Sequence, residues 1–530
     1  MADLIPTQEQ SLVTHMASTG KDVKVMACAG SGKTSTLLFV AERLSPKCGL
    51  YLAFNKDLAK FAKKKFSGLP VECMTLHGMA FSGAFHASNL FAGKPFQGGI
   101  LSGSVVADAL GYSYLKFLDR DVSPSQFAYL CLDAVRRFCH SAEETLSLKH
   151  VYIGEKYQKF FLFVRQETEF HLSQAKASGN PSAITLWNNK LDALLSAHRC
   201  FRQEILDGAI MLWKSMNDPL GLPVTHDVYL KRYVEAIAAK DLPLPDIRYA
   251  MIDEFQDSNG ITIKLVEAFQ QSGIQVVFVG DPYQQIYEWR GSVNAFDLVQ
   301  SDQEARLSQS FRFGFVIANA VNDYMSSVFP GWQEISGASP VSGSIGPIDG
   351  FTNAILCRTN SGAVESLIDH LDRGIIPKVS DGRAMSNEIE DICALQSGLR
   401  VRSSSDYSVF RSYQELLEYS ESNDGLHVRT LLKIIEKNDP SFLINALRHA
   451  SSLRSSETRP HILTVHKAKG LEWNSVSLQK DFPSMEKIAR KDEEKRLAYV
   501  AMTRGKECLD HRSLFLEETD HNSDKEGISL

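Results

Sequence analysis

Val25-Met26-Ala27-Cys28-Ala29-Gly30-Ser31-Gly32-Lys33-Thr34 closes a mostly apolar run, Val23 to Met26, and opens a helical one, Ser35 to Arg43. The small residues let the backbone turn sharply, and Gly30 and Gly32 allow successive N–H groups to point at a triphosphate. Lys33 then reaches the β- and γ-phosphates, and the Thr34 hydroxyl is placed to hold Mg²⁺. The helix that follows turns its positive N-terminal end to the same anion. Ala27 stands where the P-loop pattern has its first glycine, so the pattern is met at the lysine end and bent at the start.

The remaining composition limits what can be built around this loop. A chain of 530 residues has room for about three to four domains. Its 44% hydrophobic and 23% charged content is that of a soluble globular protein. A formal charge of −6 means that any nucleic-acid surface must be local. The nine cysteines form no close C-x-x-C pair, which argues against a zinc ribbon and for reduced thiols. No signal peptide follows Met1 and no apolar run reaches the ~18 residues of a membrane span. The expectation is a cytoplasmic protein without a membrane partner.

Upstream of the loop, Thr7 and Gln10 form a capping box at the start of a helix. The Gln10 amide also has the donor and acceptor needed to read an adenine edge. Downstream, Gly49 to Lys56 reads as an apolar strand followed by a helix carrying Lys60, Lys63, Lys64 and Lys65, and Val71 to His77 as another strand ending in polar residues. Such a lysine run is usually a solvated face. Alternating strands and helices predict a parallel sheet with ligands at the strand ends.

The alternation breaks from about Ala84 to Glu235, where helical patterns predict an insertion. The sheet resumes at Tyr249 to Ile252 and ends in Asp253-Glu254-Phe255-Gln256-Asp257. Paired acids are common at strand ends; beside a P-loop, the first suits hydrated Mg²⁺ and the second accepts a proton from the attacking water. Gln275 to Val279 leads to Gln284, Tyr287, Trp289 and Arg290. The two aromatic residues are either core or a stacking platform for bases. A second alternating block begins near Ala305, contains Gln309-Ser310-Phe311-Arg312 and Ala354 to Asn360, and returns at His461 to Glu472 after about a hundred mainly helical residues.

In this order the motifs resemble those of superfamily 1 DNA helicases of the UvrD/Rep type, over roughly residues 4 to 510. Ala53-Phe54-Asn55-Lys56, the Leu212 to Asp227 run and a short second insertion are most similar to the branch of the F-box DNA helicase and its bacterial relatives. The Gln motif begins within ten residues of Met1, so no F-box is expected ahead of it. The resemblance implies an α/β fold of two RecA-like lobes with parallel sheets, each carrying a mostly helical insertion. It divides the chain into lobe one at 1–83 and 236–300, its insertion at 84–235, lobe two at 301–365 and 456–515, a short insertion at 366–455, and a disordered acidic tail at 516–530.

The resemblance also implies roles. Ala27, Cys28, Ala29, Gly30, Ser31, Gly32, Lys33 and Thr34 form the phosphate loop, Gln10 reads adenine, Phe311 stacks on it and Glu472 holds the ribose. Thr34 and Asp253 hold Mg²⁺, Glu254 is the general base, and Gln284 senses the γ-phosphate. Arg312 and Arg504 reach that phosphate from lobe two. Asn55, Lys56, Thr75, His77, Tyr287, Trp289, Arg358, Asn360 and His466 line a single-strand groove; His77 and His466 have the alternative of purely structural hydrogen bonding. Relatives of the UvrD type carry a Phe two residues before this Asn, whereas Phe54 directly precedes Asn55.

The implied activity is an ATP- and Mg²⁺-dependent translocase on single-stranded DNA that opens duplexes with a single-stranded tail, with 3′–5′ polarity, in DNA repair or recombination or in antiviral defence. Two alternatives stay open. One is a nucleotide-sensing ATPase that regulates a partner nuclease, as in Gabija-type systems; the other is a translocase that strips recombinase filaments.

Overall fold

The structure, a computed structural model, describes residues 5–88, 90–286, 295–340, 342–348, 352–453 and 459–515. Two six-stranded sheets organise it, and every pairing in both is parallel. The expected α/β fold with two RecA-like lobes is borne out.

The first sheet contains β1 (Val23–Ala27), β2 (Gly49–Ala53), β3 (Val71–Thr75), β4 (Tyr249–Ile252), β5 (Gln275–Gly280) and β6 (Gln303–Leu307), in the order β3-β2-β4-β5-β1-β6. Its central strands are buried along their whole length because both faces are covered, as a parallel sheet requires. One face packs against α1 (Gln8–Ser18), α2 (Lys33–Leu44) and α3 (Lys56–Lys65), through Val13, Leu37, Val40 and Ala62. The other shares a continuous core with the helical insertion, from Leu52, Ile252 and Phe278 to Phe138, Phe201 and Leu212.

The second sheet contains β7 (Ser344–Ile345), β8 (Ala354–Cys357), β9 (Lys378–Val379), β10 (His461–Thr464), β11 (Trp473–Leu478) and β12 (Gly505–Asp510), in the order β7-β12-β11-β8-β10-β9. Two expected boundaries move. The strand Gln303–Leu307, read as the opening of lobe two, pairs with β1 and completes the first sheet. The strand Lys378–Val379, read as part of the second insertion, pairs with β10 at the edge of the second sheet. Gln303–Leu307 carries three polar or charged residues among its five and Lys378–Val379 has only two residues, so neither offers the continuous apolar run of the central strands. The expected tail lies outside the described residues.

The two insertions meet over the junction of the lobes. Asn423 donates to both carboxylate oxygens of Asp133 at 3.0 and 3.1 Å, Lys156 pairs with Glu421 at 2.8 Å and Arg429 with Glu155 at 2.8 Å. No helix among the described residues is long and apolar enough to cross a membrane.

Candidate functional site

The loop between β1 and α2 depends on two glycines. Gly30 and Gly32 have φ of 76° and 80°, where L side chains are strained. A Cβ on Gly30 would lie 2.7 Å from Cβ of Arg312, and one on Gly32 would lie 3.0 Å from Nε2 of Gln10. The loop is thus packed between α1 and the segment entering lobe two. Phe311 N–H donates to the Gly30 carbonyl at 2.9 Å, and the Phe311 ring, 47% exposed, stands beside Gly32. Gln10 completes the capping box with its Oε1, which accepts from Thr7 N–H at 3.0 Å, while its Nε2 faces the loop. The capping and loop-facing positions therefore coexist in one side chain.

Asp253 and Glu254 leave the end of β4 beneath this loop. The Thr34 hydroxyl donates to Asp253 Oδ2 at 3.3 Å, and Tyr51 donates to the same oxygen at 2.6 Å. Glu254 adopts φ 54°, a left-handed conformation uncommon for its type, which turns its carboxylate towards Lys33 at 3.3 Å. Burial works to raise the Glu254 pKa, but Lys33, Lys469 and the Gln256 amide outweigh it and hold the carboxyl at about 2. Burial likewise opposes the charge of Lys33, yet Glu254, Asp281 and Asp253 raise its ammonium above the usual range. A hydroxyl and a carboxylate oxygen converging at Thr34 and Asp253 are hard donors of the kind Mg²⁺ takes, with few protein ligands.

Lobe two closes the site. Arg504, 1% exposed, donates from Nε to the Val500 carbonyl at 2.8 Å and from Nη2 to Gln284 Oε1 at 3.4 Å. Burial and the nearby Arg312 push its guanidinium down to about 9. Arg312 donates to Glu472 Oε2 at 2.8 Å and to the Thr503 carbonyl at 2.9 Å. Glu472 therefore sits on Arg312, on the rim of the same cluster.

Four further residues complete the joint and were not singled out by the sequence. The Tyr499 hydroxyl donates to Asp281 at 2.9 Å and accepts from the Ala29 N–H of the loop at 3.3 Å. Gln284 Nε2 donates to the same Asp281 at 2.7 Å. Lys469 crosses from lobe two to Asp257 at 2.6 Å and the Gln284 carbonyl at 2.8 Å. Burial, against the pull of Lys469, pushes the Asp257 carboxyl up to about 6. Asp257, Asp281 and Lys469 lie within the runs that carry the motifs, so their spacing was visible; nothing in the sequence distinguishes Tyr499.

Beyond this joint a cleft of about 1080 Å³ runs between the lobes and under the insertions. Asn55, His77, Arg358, Asn360 and His466 line it, as do Phe54, His226 and Asp227. Thr75 instead caps the helix Leu76–Phe81, accepting from Gly78 N–H at 3.0 Å, and Lys56 begins α3 at the cleft's edge. Tyr287 and Trp289 lie outside the described residues. Burial holds His77 and His226 below the usual imidazole range, so both are neutral at pH 7. Arg358 shares its charge with Glu494, which accepts from its Nε at 2.9 and 3.1 Å.

Residues 119–303 match the family model described as the UvrD/REP helicase N-terminal domain, and residues 351–510 match the UvrD-like helicase C-terminal domain. F-box DNA helicase 1 of Gallus gallus is 27% identical to 95% of this chain and is itself 48% covered. F-box DNA helicase protein 1 of Schizosaccharomyces pombe is 25% identical to 95% of the chain, with 57% of that protein covered. DNA helicase II of Escherichia coli is 23% identical to 58% of the chain, with 38% covered. The chain thus spans about half the length of the F-box relatives it matches.

Proposed function

The chain belongs to the UvrD/Rep helicase family, and on that premise we propose that it is an ATP-dependent single-stranded-DNA translocase and DNA helicase of 3′–5′ polarity, acting in DNA repair or recombination or in antiviral defence. The observation that carries this reading is the cross-lobe bridge: Arg504 of lobe two bonds Gln284 of lobe one, next to the loop that Arg312 also touches. A triphosphate on that loop has groups from both lobes around it, so its hydrolysis is tied to how the lobes sit.

In this reading Lys33 leaves Glu254 for the β- and γ-phosphates. Losing the nearest cation that holds its pKa down, Glu254 becomes the stronger base and takes the proton of the attacking water, which Gln284 orients. Mg²⁺ held by Thr34 and Asp253 would neutralise charge on the phosphate oxygens. Arg312 exchanges Glu472 for the γ-phosphate and, with Arg504, stabilises the charge that builds on the equatorial oxygens; an arginine so placed contributes about 10³–10⁵ in rate. The freed Glu472 takes the ribose, and Gln10 and Phe311 hold the adenine. The 1080 Å³ cleft takes the single strand across both lobes, with neutral His77 offering a hydrogen bond without a charge.

Glu254→Gln is expected to abolish turnover while leaving nucleotide and DNA binding intact; hydrolysis at the wild-type rate would remove it as the base. Duplexes with a 3′ or a 5′ single-stranded tail test the activity and its direction. Opening of the 3′-tailed substrate alone supports the proposal, and opening of neither, with DNA-stimulated hydrolysis intact, overturns the helicase reading.

A further inference from the structure

The lysines of α3 are more than evenly solvated. At about 100° per residue, Lys56, Lys60, Lys63 and Lys64 fall within an arc of about 100°, and all four are exposed. Leu58 and Ala62 occupy the opposite side, packed towards the first sheet. Lys65 turns inward and donates to Ser35 of α2 at 2.9 Å. Phe61, 55% exposed, borders the basic arc, and the only acid on the helix is Asp57, 3.8 Å from Lys60.

Like charges three and four residues apart destabilise a helix, so this arc carries a cost that a bound anion would relieve. The overall charge of −6 shows that the concentration is local. The arc also starts at the cleft. Asn55, which lines the cleft, caps α3 by accepting from Leu58 N–H at 2.9 Å. Lys56 is near enough to His226, another lining residue, for its charge to act on the imidazole. From Lys56 to Lys64 the helix rises about 12 Å, the length of roughly three nucleotides of a stacked strand.

We propose that this face of α3 is a second subsite for single-stranded DNA: a phosphate track for the strand passing out of the cleft at Asn55, with Phe61 offering a stacking surface to one base. The inference rests on the cleft reading above and extends it. The four lysines supply contacts to the sugar–phosphate backbone that do not depend on sequence, and the ring adds a contact that salt does not screen.

The test compares a short oligothymidylate of about 10 nucleotides, within the footprint of one groove, with one about three times as long. Both are titrated against wild type, the triple variant Lys60→Ser/Lys63→Ser/Lys64→Ser, and Phe61→Ala, over a range of salt. These side chains are exposed, and a melting temperature no lower than that of the wild type verifies the fold. The triple variant is expected to lose about tenfold or more in affinity for the long strand at ~0.1 M salt, with the slope of log K against log[salt] shallower by about 2. Binding of the short strand should not change. Phe61→Ala should weaken the long strand with no change of slope. Equal loss for both lengths, or loss for neither, overturns the track and leaves the cleft reading standing. Wild-type protein that binds neither length overturns the cleft reading, and the track falls with it.

Discussion

Each lobe has a central strand that runs into the N-terminus of a helix, and the two turns are filled in opposite ways. In lobe one, β1 passes through glycines of positive φ to Lys33 and α2. In lobe two, β8 passes through Arg358 and Thr359 to the helix Asn360–Asp372, and there Asp481 takes the anion's place. Its carboxylate accepts from Arg358 N–H at 2.9 Å, Thr359 N–H at 2.8 Å and the Thr359 hydroxyl at 2.9 Å. A helix N-terminus attracts negative charge in either case. Lobe two satisfies its own with a side chain and so presents Arg358 and Asn360 to the cleft, while lobe one has Lys33 at the corresponding turn.

The sharpest way to break this comparison is to remove the key residue from each turn. Lys33→Ala is expected to reduce hydrolysis by at least about 10²–10³-fold, as loss of a preorganised phosphate contact does, and to weaken nucleotide binding. Asp481→Ala is expected to do the reverse, destabilising lobe two by about 2–4 kcal/mol through unpaired backbone donors while leaving the nucleotide Kd unchanged. Urea unfolding and nucleotide titration of both variants check this, and an Asp481 variant with impaired nucleotide binding would show that the turns are not independent.

The Asp257–Lys469 pair sharpens the account of how the lobes are joined. With its carboxyl held at about 6, Asp257 takes a proton as pH falls through that value, and the bridge loses its charge on the acid side. Turnover should fall up to about tenfold between pH 7 and pH 5. Asp257→Asn should be slower and flat over this window; an acid limb that survives the substitution belongs to another group. Tyr499→Phe is the mildest change. It removes one hydroxyl between Asp281 and the Ala29 amide, with an expected cost of about 1–2 kcal/mol, seen in thermal unfolding, and a modest rise in KM for the nucleotide.

Much of the first lobe was legible because its signals are local. The glycines of the loop, the acids after β4 and the apolar strands each declare themselves within a few residues. The edges were not: Gln303–Leu307 is largely polar and Lys378–Val379 is only two residues long, and their place is fixed by pairing partners far away in sequence. The same holds for the joint. Nothing near Tyr499 reveals that its hydroxyl meets Asp281 and Ala29, since those contacts span 218 and 470 residues. Thr75 and Asn55 show the other limit, because a polar residue after a strand caps the next helix as readily as it meets a ligand.

The claim that the nucleotide is worked by both lobes is tested most directly by hydrolysis measurements on Arg504→Lys in the presence of single-stranded DNA. Lysine keeps a positive charge but lacks the planar fork that reaches Gln284. The account predicts a nucleotide Kd within about threefold of wild type and a turnover lower by about 10³-fold or more. Turnover at the wild-type rate would contradict it.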